Sequence, residues 1–331
     1  MRSRGSANVR SSDSLWAITC HFNPSRSSRR VANFRSFRGR LGVRLLAVEM
    51  SGNGRFELEE GDADVLLRLQ GGDVLWQKER LLNVALRALP GECDLVAWLD
   101  GDIVFTDPDW PERVAEGLRR HALVQVFDRL VEPGPEEPLA GVLETAHRFR
   151  CRRAVTSGLE DGRYTRDVFG RLGGSLALGY TPGHGWAARR SLLERFGLYD
   201  AFILGTGDKA IAAAAYGETE AFLSSIEIDP SHEEHFRSWA EPFSKAVNGS
   251  VGHCPNTIVH LWHGDLARRK YESRYDGFGR FGFDPSVDVH PAESGAWQWR
   301  TPKPELHRYV REYLENRCED GLSDPGLQRV R

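Results

Sequence analysis

Two carboxylates, Asp100 and Asp102, flank Gly101 where the apolar run Val96-Ala97-Trp98-Leu99 ends, and apolar residues resume at Ile103. Asp-Gly is a common turn dipeptide. Placed at the carboxyl end of a strand, however, the two acids turn toward one point and offer the oxygen ligands that Mn²⁺ or Mg²⁺ takes together with substrate phosphates. A second pair, His260 and His263, follows the apolar Thr257-Ile258-Val259 and precedes Gly264. Imidazole ligates Mn²⁺-class metals. On an extended chain these two side chains have opposite parity, so both reach one ion only if the chain turns. A third feature, Leu204-Gly205-Thr206-Gly207-Asp208-Lys209, is a Gly-rich turn entering a helix. There Asp208 serves as an N-cap, as a general base presented by a loop, or as both. In Gly183-His184-Gly185-Trp186 the glycines permit either close backbone approach to a ligand or a plain turn beside a core Trp. Lys78 and Arg80, at the start of an amphipathic run that includes Asn83, face either phosphates or solvent.

These side chains need a scaffold, and the hydrophobic pattern supplies one. Leu15–Phe22 is an apolar run of strand length ended by Asn23-Pro24, and 25–39 has helical spacing with Gly39 as its stop. Strands are expected at 43–49, 65–69, 94–99, 123–127 and 257–262. Helices are expected at 76–89, 111–121, 192–196, 208–216 and 305–317. Strands alternating with helices predict βαβ units and a mostly parallel central sheet, which binds ligands beyond its strands' carboxyl ends. Residues 129–169 break the pattern with Pro133, Pro135, Pro138 and the basic cluster Arg148, Arg150, Arg152 and Arg153, and read as an insertion or lid. The expected organisation is a disordered leader at 1–14, a first half at 15–128, the insertion at 129–169, a second half at 170–284 with regularity returning near Gly173, and a C-terminal extension at 285–331.

Composition excludes several classes. The 331 residues are 40% hydrophobic and 27% charged with a net charge of −3, which is ordinary globular usage without the basic excess of a nucleic-acid binder. No apolar run reaches membrane-span length. The five cysteines are odd in number and widely spaced, which favours reduced thiols over a disulfide framework or a zinc knuckle. Residues 1–14 are Arg/Ser-rich and lack a signal peptide's apolar core, so a cytoplasmic location is expected. Residues 1–50 carry ten Arg against Asp13 and Glu49, a balance that reads as a solvated face or an anion-facing segment. P-loop, dinucleotide-binding, nucleophile-elbow and HExxH motifs are all absent.

His21-Phe22-Asn23-Pro24, the helix from Trp76 through Asn83, Val96 to Asp102, the Gly-Trp segment, the Gly-x-Gly-Asp turn and the late His occur in one order. That order resembles a GT-A fold glycosyltransferase. It is particularly similar to the β-1,4-galactosyltransferase type and its uncharacterised bacterial relatives, over roughly residues 15–280. Asp100-Gly101-Asp102 matches that family's DxD motif. His260-x-x-His263 resembles its Met-x-x-His, with His260 in place of the Met. Leu204–Asp208 departs from its Gly-Trp-Gly-x-Glu-Asp motif by lacking the Trp and the Glu.

The resemblance implies an α/β, GT-A-like single large domain whose mostly parallel central sheet is flanked by helices, with an insertion and a C-terminal helical extension. It implies a metal-dependent hexosyltransferase that moves a sugar from a nucleotide-sugar, by default a UDP-sugar, to a hydroxyl of a glycan or other acceptor. Asp102 and His263 would hold Mn²⁺ or Mg²⁺, joined by Asp100 and His260, with Asp100 also placed to meet the donor ribose or sugar. His21, Asn23, Pro24, Lys78, Asn83 and Gly101 would line the donor site. His184, Gly185, Trp186, Gly207 and Trp262 would face sugar or acceptor, and Asp208 would be the base of an inverting reaction. No nucleic-acid partner and no transmembrane segment are expected, and peripheral membrane contact stays open. Two other readings use the same residues, a nucleotidyltransferase-like enzyme and a non-catalytic sugar-binding module.

Overall fold

The computed structural model describes residues 14–171, 178–264, 269–271, 273–317 and 319–320. Most of the expected leader, Gly173, Cys318 and the end of the C-terminal extension lie outside the described residues. The first half follows the βα alternation: β1 (Leu15–Phe22), α1 (Ser28–Gly39), β2 (Arg44–Ser51), β3 (Val65–Gln70), α2 (Lys78–Ala88), β4 (Leu95–Leu99), β5 (Ile103–Phe105), α3 (Trp110–Arg120) and β6 (Leu123–Gln125). β7 (Arg129–Val131), α4 (Leu139–Thr145), β8 (Cys151–Ala154), α5 (Val155–Glu160), β9 (Tyr180–Thr181), β10 (Gly185–Arg189) and α6 (Arg190–Phe196) come next. The remainder includes α7 (Gly207–Tyr216), α8 (Thr219–Leu223), α9 (Pro230–Val247), β11 (Val251–His253), β12 (Thr257–His260), β13 (Val289–Pro291), β14 (Trp297–Trp299) and α10 (Pro304–Glu315), with a short helical turn at Pro285–Asp288.

Among the described residues the main sheet has seven strands in the order β11-β6-β10-β4-β1-β2-β3. Only β10 runs antiparallel to its neighbours. Both faces are covered, so the central strands are mostly apolar: Ala17, Leu46, Ala47, Val48, Val96, Ala97 and Ala187 are all buried. α2 presents Leu81, Leu82, Ala85 and Leu86 to this sheet at helical spacing, while α3 stacks Trp110 on Phe105 at 4.1 Å.

A second sheet, ordered β5-β12-β7-β8-β9, contains two strands from the segment that reads as an insertion. β7 pairs with β12 on one side and β8 on the other, so residues 129–154 form part of the framework that holds His260. The prolines at 133–138 fall in the connection between those strands, where no ladder donor is needed. Gln125, fully buried on β6, links the two sheets: its amide donates to Thr181 O at 3.0 Å and accepts from the Thr156 hydroxyl at 2.9 Å.

The longest described helix, α9, was not expected from the pattern. Asp229 caps it, Pro230 opens it, and Phe236, Ala240, Phe243 and Val247 form its buried stripe. The C-terminal extension returns to the body of the protein. The Asp320 carboxylate accepts from Arg29 N at 3.0 Å, Ser28 N at 3.3 Å and Ser27 Oγ at 2.6 Å, placing an anion at the N-terminus of α1. Internal acids also answer the basic N-terminal segment: Arg30 pairs with Glu319, Arg35 with Glu59 and Asp62, and Arg38 with Asp64.

Replacing Gln125 with Ala leaves a buried carbonyl and a buried hydroxyl without their partner and should cost about 1–3 kcal/mol. The expected reading is a lower urea midpoint at unchanged slope; an unmoved midpoint would mean that the two sheets hold together without this amide.

Candidate active site

β1 and β4 end side by side, and antiparallel β10 begins beside them, with Gly185 opposite Leu99. The backbone N–H of Asp100 donates to His184 O at 2.9 Å, so the acidic turn and the His184 turn are joined by main chain. The cleft above these strand ends has a cavity volume of about 230 Å³.

Lys78, the first residue of α2, reaches into the cleft. Its ammonium lies 2.6 Å from Asp100 Oδ1 and 2.8 Å from Asp208 Oδ2. Burial alone would lower the Lys78 pKa, but the Asp100, Asp208 and Glu79 carboxylates outweigh it and hold it well above the usual value. Burial raises Asp100 to about 6 against the pull of Lys78, aided by repulsion from Asp208 and Asp102.

Asp208 owes its position to an unusual turn. Gly205 and Thr206 both have left-handed backbones, with φ of 86° and 89°. This is ordinary for Gly and strained for Thr. A Cβ on Gly207 would lie 2.3 Å from Glu79 Oε1, so only glycine lets α7 start this close to α2. Glu79 is buried with Trp76 Nε1 donating to it at 3.0 Å, and burial, opposed by Lys78 and reinforced by Asp208, raises its pKa to about 7.

Opposite this pair stands an imidazole-carboxylate cluster. β12 ends at His260, and the chain then turns through Leu261 and Trp262 into Gly264 at φ 98°. The turn overcomes the opposite parity of the two histidines: their Nε2 atoms are 3.0 Å apart. His263 Nε2 is 2.9 Å from Asp102 Oδ2, and His260 Nε2 is 3.7 Å from Asp102 Oδ1. Asp102, His260 and His263 each offer a ligand atom within 4.8 Å of the others. Burial would raise the Asp102 pKa, but His263, His260 and Arg269 hold it well below the ordinary carboxylate range. Burial, with Arg269 adding to it and Asp102 opposing it, lowers His263 to about 4. At neutral pH the cluster is an ionised carboxylate beside a neutral imidazole, the protonation that a divalent cation requires. Asp102 Oδ1, on the side facing His260, is buried with no hydrogen-bond partner, which fits a site completed by a cation. Asp100 is outside this group, its carboxylate being engaged by Lys78.

His184, at φ 77° and 9% exposed, has its ring 4.6 Å from that of His260 and tilted to it by 56°. Burial and the neighbouring His260 and Arg152 hold it well below its ordinary value. Its Nδ1 has no hydrogen-bond partner, although it lies 3.7 Å from Asp100 Oδ2.

The cleft thus brings together Pro24, Lys78, Asp100, Gly101, Asp102, His184, Asp208, His260 and His263. Other expected site residues sit elsewhere. Asn83 ties α2 to the 198–200 segment, donating to Leu198 O at 2.8 Å and to Asp200 Oδ2 at 3.0 Å. His21 and Asn23 both bond Glu57 Oε2 at 2.9 Å and anchor the loop after β2. Trp186 is fully buried in β10 between β4 and β6. Gly185 and Gly207 act as backbone spacers, and Trp262 lies under the Arg29 guanidinium at 4.8 Å.

The sequence reading missed Glu79, Glu132, Arg269 and Glu319. Glu132 receives Arg152 at 2.6 and 2.7 Å and faces His260 Nδ1 at 3.4 Å. Arg269 donates to His263 Nε2 at 2.7 Å, and Glu319 lies 3.9 Å from His263 Nδ1. The acid three residues into the Trp76 helix was a usable signal for Glu79; the others depend on chain return.

Neither a protein-family model nor a curated protein matches the chain. Among solved structures it is similar to M. tuberculosis glucosyl-3-phosphoglycerate synthase, at 14% identity over 87% of this chain and 88% of that one, with a TM-score of 0.37. It is also similar to that enzyme from Mycobacterium tuberculosis in complex with Mn²⁺, UDP-glucose and phosphoglyceric acid, at 12% identity over 98% and 88%, TM-score 0.34. A third is the catalytic domain of Drosophila β1,4-galactosyltransferase 7 in complex with xylobiose, at 11% identity over 88% and 98%, TM-score 0.34. At such scores these likenesses carry no argument about activity, which has to rest on the side chains.

Because folding raises the Glu79 pKa, the native chain keeps a proton that the unfolded chain loses, and stability falls as pH rises from about 4.5 toward 7. Glu79→Gln should therefore raise the unfolding midpoint by about 2 °C or more at pH 8 and leave it unchanged at pH 4. Calorimetry at the two pH values checks this.

Proposed function

We propose that the protein is a metal-dependent glycosyltransferase that moves a sugar from a nucleotide-sugar, by default a UDP-sugar, to an acceptor hydroxyl. The observation that carries the reading is the pairing, in one cleft at the strand ends, of a carboxylate-imidazole ligand set with a separate carboxylate at Asp208 held by Lys78.

Asp102 and His263, with His260 beside them, would hold a divalent cation. When bound, such an ion offsets negative charge developing on a departing diphosphate. The remaining roles belong to the chain. Lys78 holds Asp100 and Asp208 at fixed positions and supplies a fixed positive charge between them. Asp208 accepts the acceptor hydroxyl's proton as the oxygen attacks the anomeric carbon, and the close approach of Gly207 to Glu79 sets where its turn lies. Glu132 orients His260 through its Nδ1, a partner that sets the imidazole tautomer. His184 presents an unpartnered ring nitrogen to a polar group of the bound sugar. If Asp208 acts from the side opposite the leaving group, the anomeric configuration inverts.

Two measurements test this. UDP should bind in calorimetry only with Mn²⁺ or Mg²⁺ present, and Asp102→Ala should abolish that binding; failure of every nucleoside diphosphate to bind with metal would leave a non-catalytic binding module as the reading. Asp208→Asn should keep donor binding within about twofold and lower kcat by about 10²–10⁴. NMR of the product should show the inverted anomer, and a retained anomer would remove Asp208 from the role of base.

A further inference from the structure

Charge in the cleft is not evenly answered. Its lining includes Arg30, Lys78, Arg152, Arg171, Lys209, Arg269, Arg274 and Arg317, against Glu79, Asp100, Asp102, Asp208 and Glu319, in a chain whose net charge is −3. Most of these cations have a carboxylate: Lys78 has Asp100 and Asp208, Arg30 and Arg317 share Glu319, Arg152 has Glu132, and Arg171 has Asp167. Arg269 lies within the metal-ligand cluster. Lys209 and Arg274 have no carboxylate partner among the described residues.

Both flank the turn that carries Asp208. Lys209 is the next residue; its ammonium donates to Arg171 O at 2.9 Å and to Ser225 Oγ at 3.4 Å, and it lies 6.0 Å from the Phe222 ring centre. Arg274 presses against the turn, with Nη1 2.9 Å from where a Cβ on Gly205 would be. That nitrogen bonds Leu204 O at 3.3 Å and the Tyr313 hydroxyl at 3.5 Å, leaving Nε and Nη2 for another partner. Tyr275 braces the same turn by donating to Gly205 O at 3.0 Å. Burial, together with the nearby Arg274 cation, lowers the Lys209 pKa to about 8. Two half-buried cations that repel each other are costly unless an anion joins them.

We propose that Lys209 and Arg274 form an anion subsite beside Asp208 that takes the phosphate or carboxylate of the acceptor. The acceptor is then a small hydroxyl compound bearing an acidic group. This rests on the glycosyltransferase reading, which puts the acceptor hydroxyl at Asp208. These two cations flank the Asp208 turn, whereas Arg269 lies in the carboxylate-imidazole cluster on the opposite side. A guanidinium and an ammonium together suit an oxyanion: the planar fork binds two oxygens and the ammonium a third.

The test titrates inorganic phosphate into the full chain saturated with UDP and Mg²⁺, for the wild type, Lys209→Gln, Arg274→Gln and the charge-keeping Arg274→Lys. One phosphate per wild-type chain is expected. Each Gln variant should bind it at least tenfold more weakly, Arg274→Lys should recover part of the loss, and UDP affinity should stay unchanged. Acetate in place of phosphate tells a carboxylate subsite from a phosphate one, and binding of either anion that depends on both cations supports the proposal. No binding by the wild type, an adventitious ion only (equal binding by all variants), or phosphate displaced by UDP with Mg²⁺ would overturn it. Failure of UDP itself to bind would strike the glycosyltransferase reading alone. Phosphate titrated into the metal-free protein then decides whether the subsite exists: loss in both Gln variants supports it and equal binding overturns it.

Discussion

The Lys78 ammonium lies between Asp100 and Asp208, and most of the cleft is arranged so that this one cation can sit there. It belongs to the first turn of α2, whose apolar face packs on the main sheet, so its position is set by the core. Asp208 is 130 positions further along the chain. Without the ammonium, two partly buried carboxylates would face each other unpaired, at a cost of several kcal/mol. With it, the two halves of the chain meet across a charge that neither half could bury alone.

From that bridge the rest follows outward. Asp208 can approach Lys78 because Gly205, Thr206 and Gly207 make a turn that few other residues could form, and Glu79 fills the space beneath it. Asp102 points the other way from Asp100, into the imidazoles of His260 and His263. Those histidines converge because β12 stops at His260 and the chain turns into Gly264. The second sheet holds β12 in place, and the C-terminal segment lines the cleft through Glu319 while Asp320 ties it to the start of α1. The cluster therefore combines an ionised acid, the neutral His263 imidazole and an adjacent guanidinium, held by elements from most of the chain.

Much of this was legible in the residues. Apolar runs of strand length placed β1, β2, β3 and β4 within a residue or two, because strands buried on both faces read as continuous hydrophobic segments. The acid pair, the histidine pair and the Gly-rich turn were visible because their residue types are rare in combination at element ends. The role of 129–154 was not legible: β7 and β8 are short, and a strand of three or four residues gives no readable period. α9 was passed over because charged residues and an internal proline interrupt its stripe. Asn83 and Trp186 looked like site residues from their types, yet their partners, Leu198 and the strands β4 and β6, put them to structural use.

The sequence by itself determined the chemistry on offer and the layered α/β framework, because side-chain type and hydrophobic period are local properties. Tertiary structure alone decided which groups meet. Local spacing could not say that Lys78 bridges two acids, that two histidines of opposite parity converge on Asp102, or that Lys209 and Arg274 have no carboxylate among the described residues while their neighbours are neutralised. Those outcomes depend on where the chain returns, and so on the packing of the whole domain.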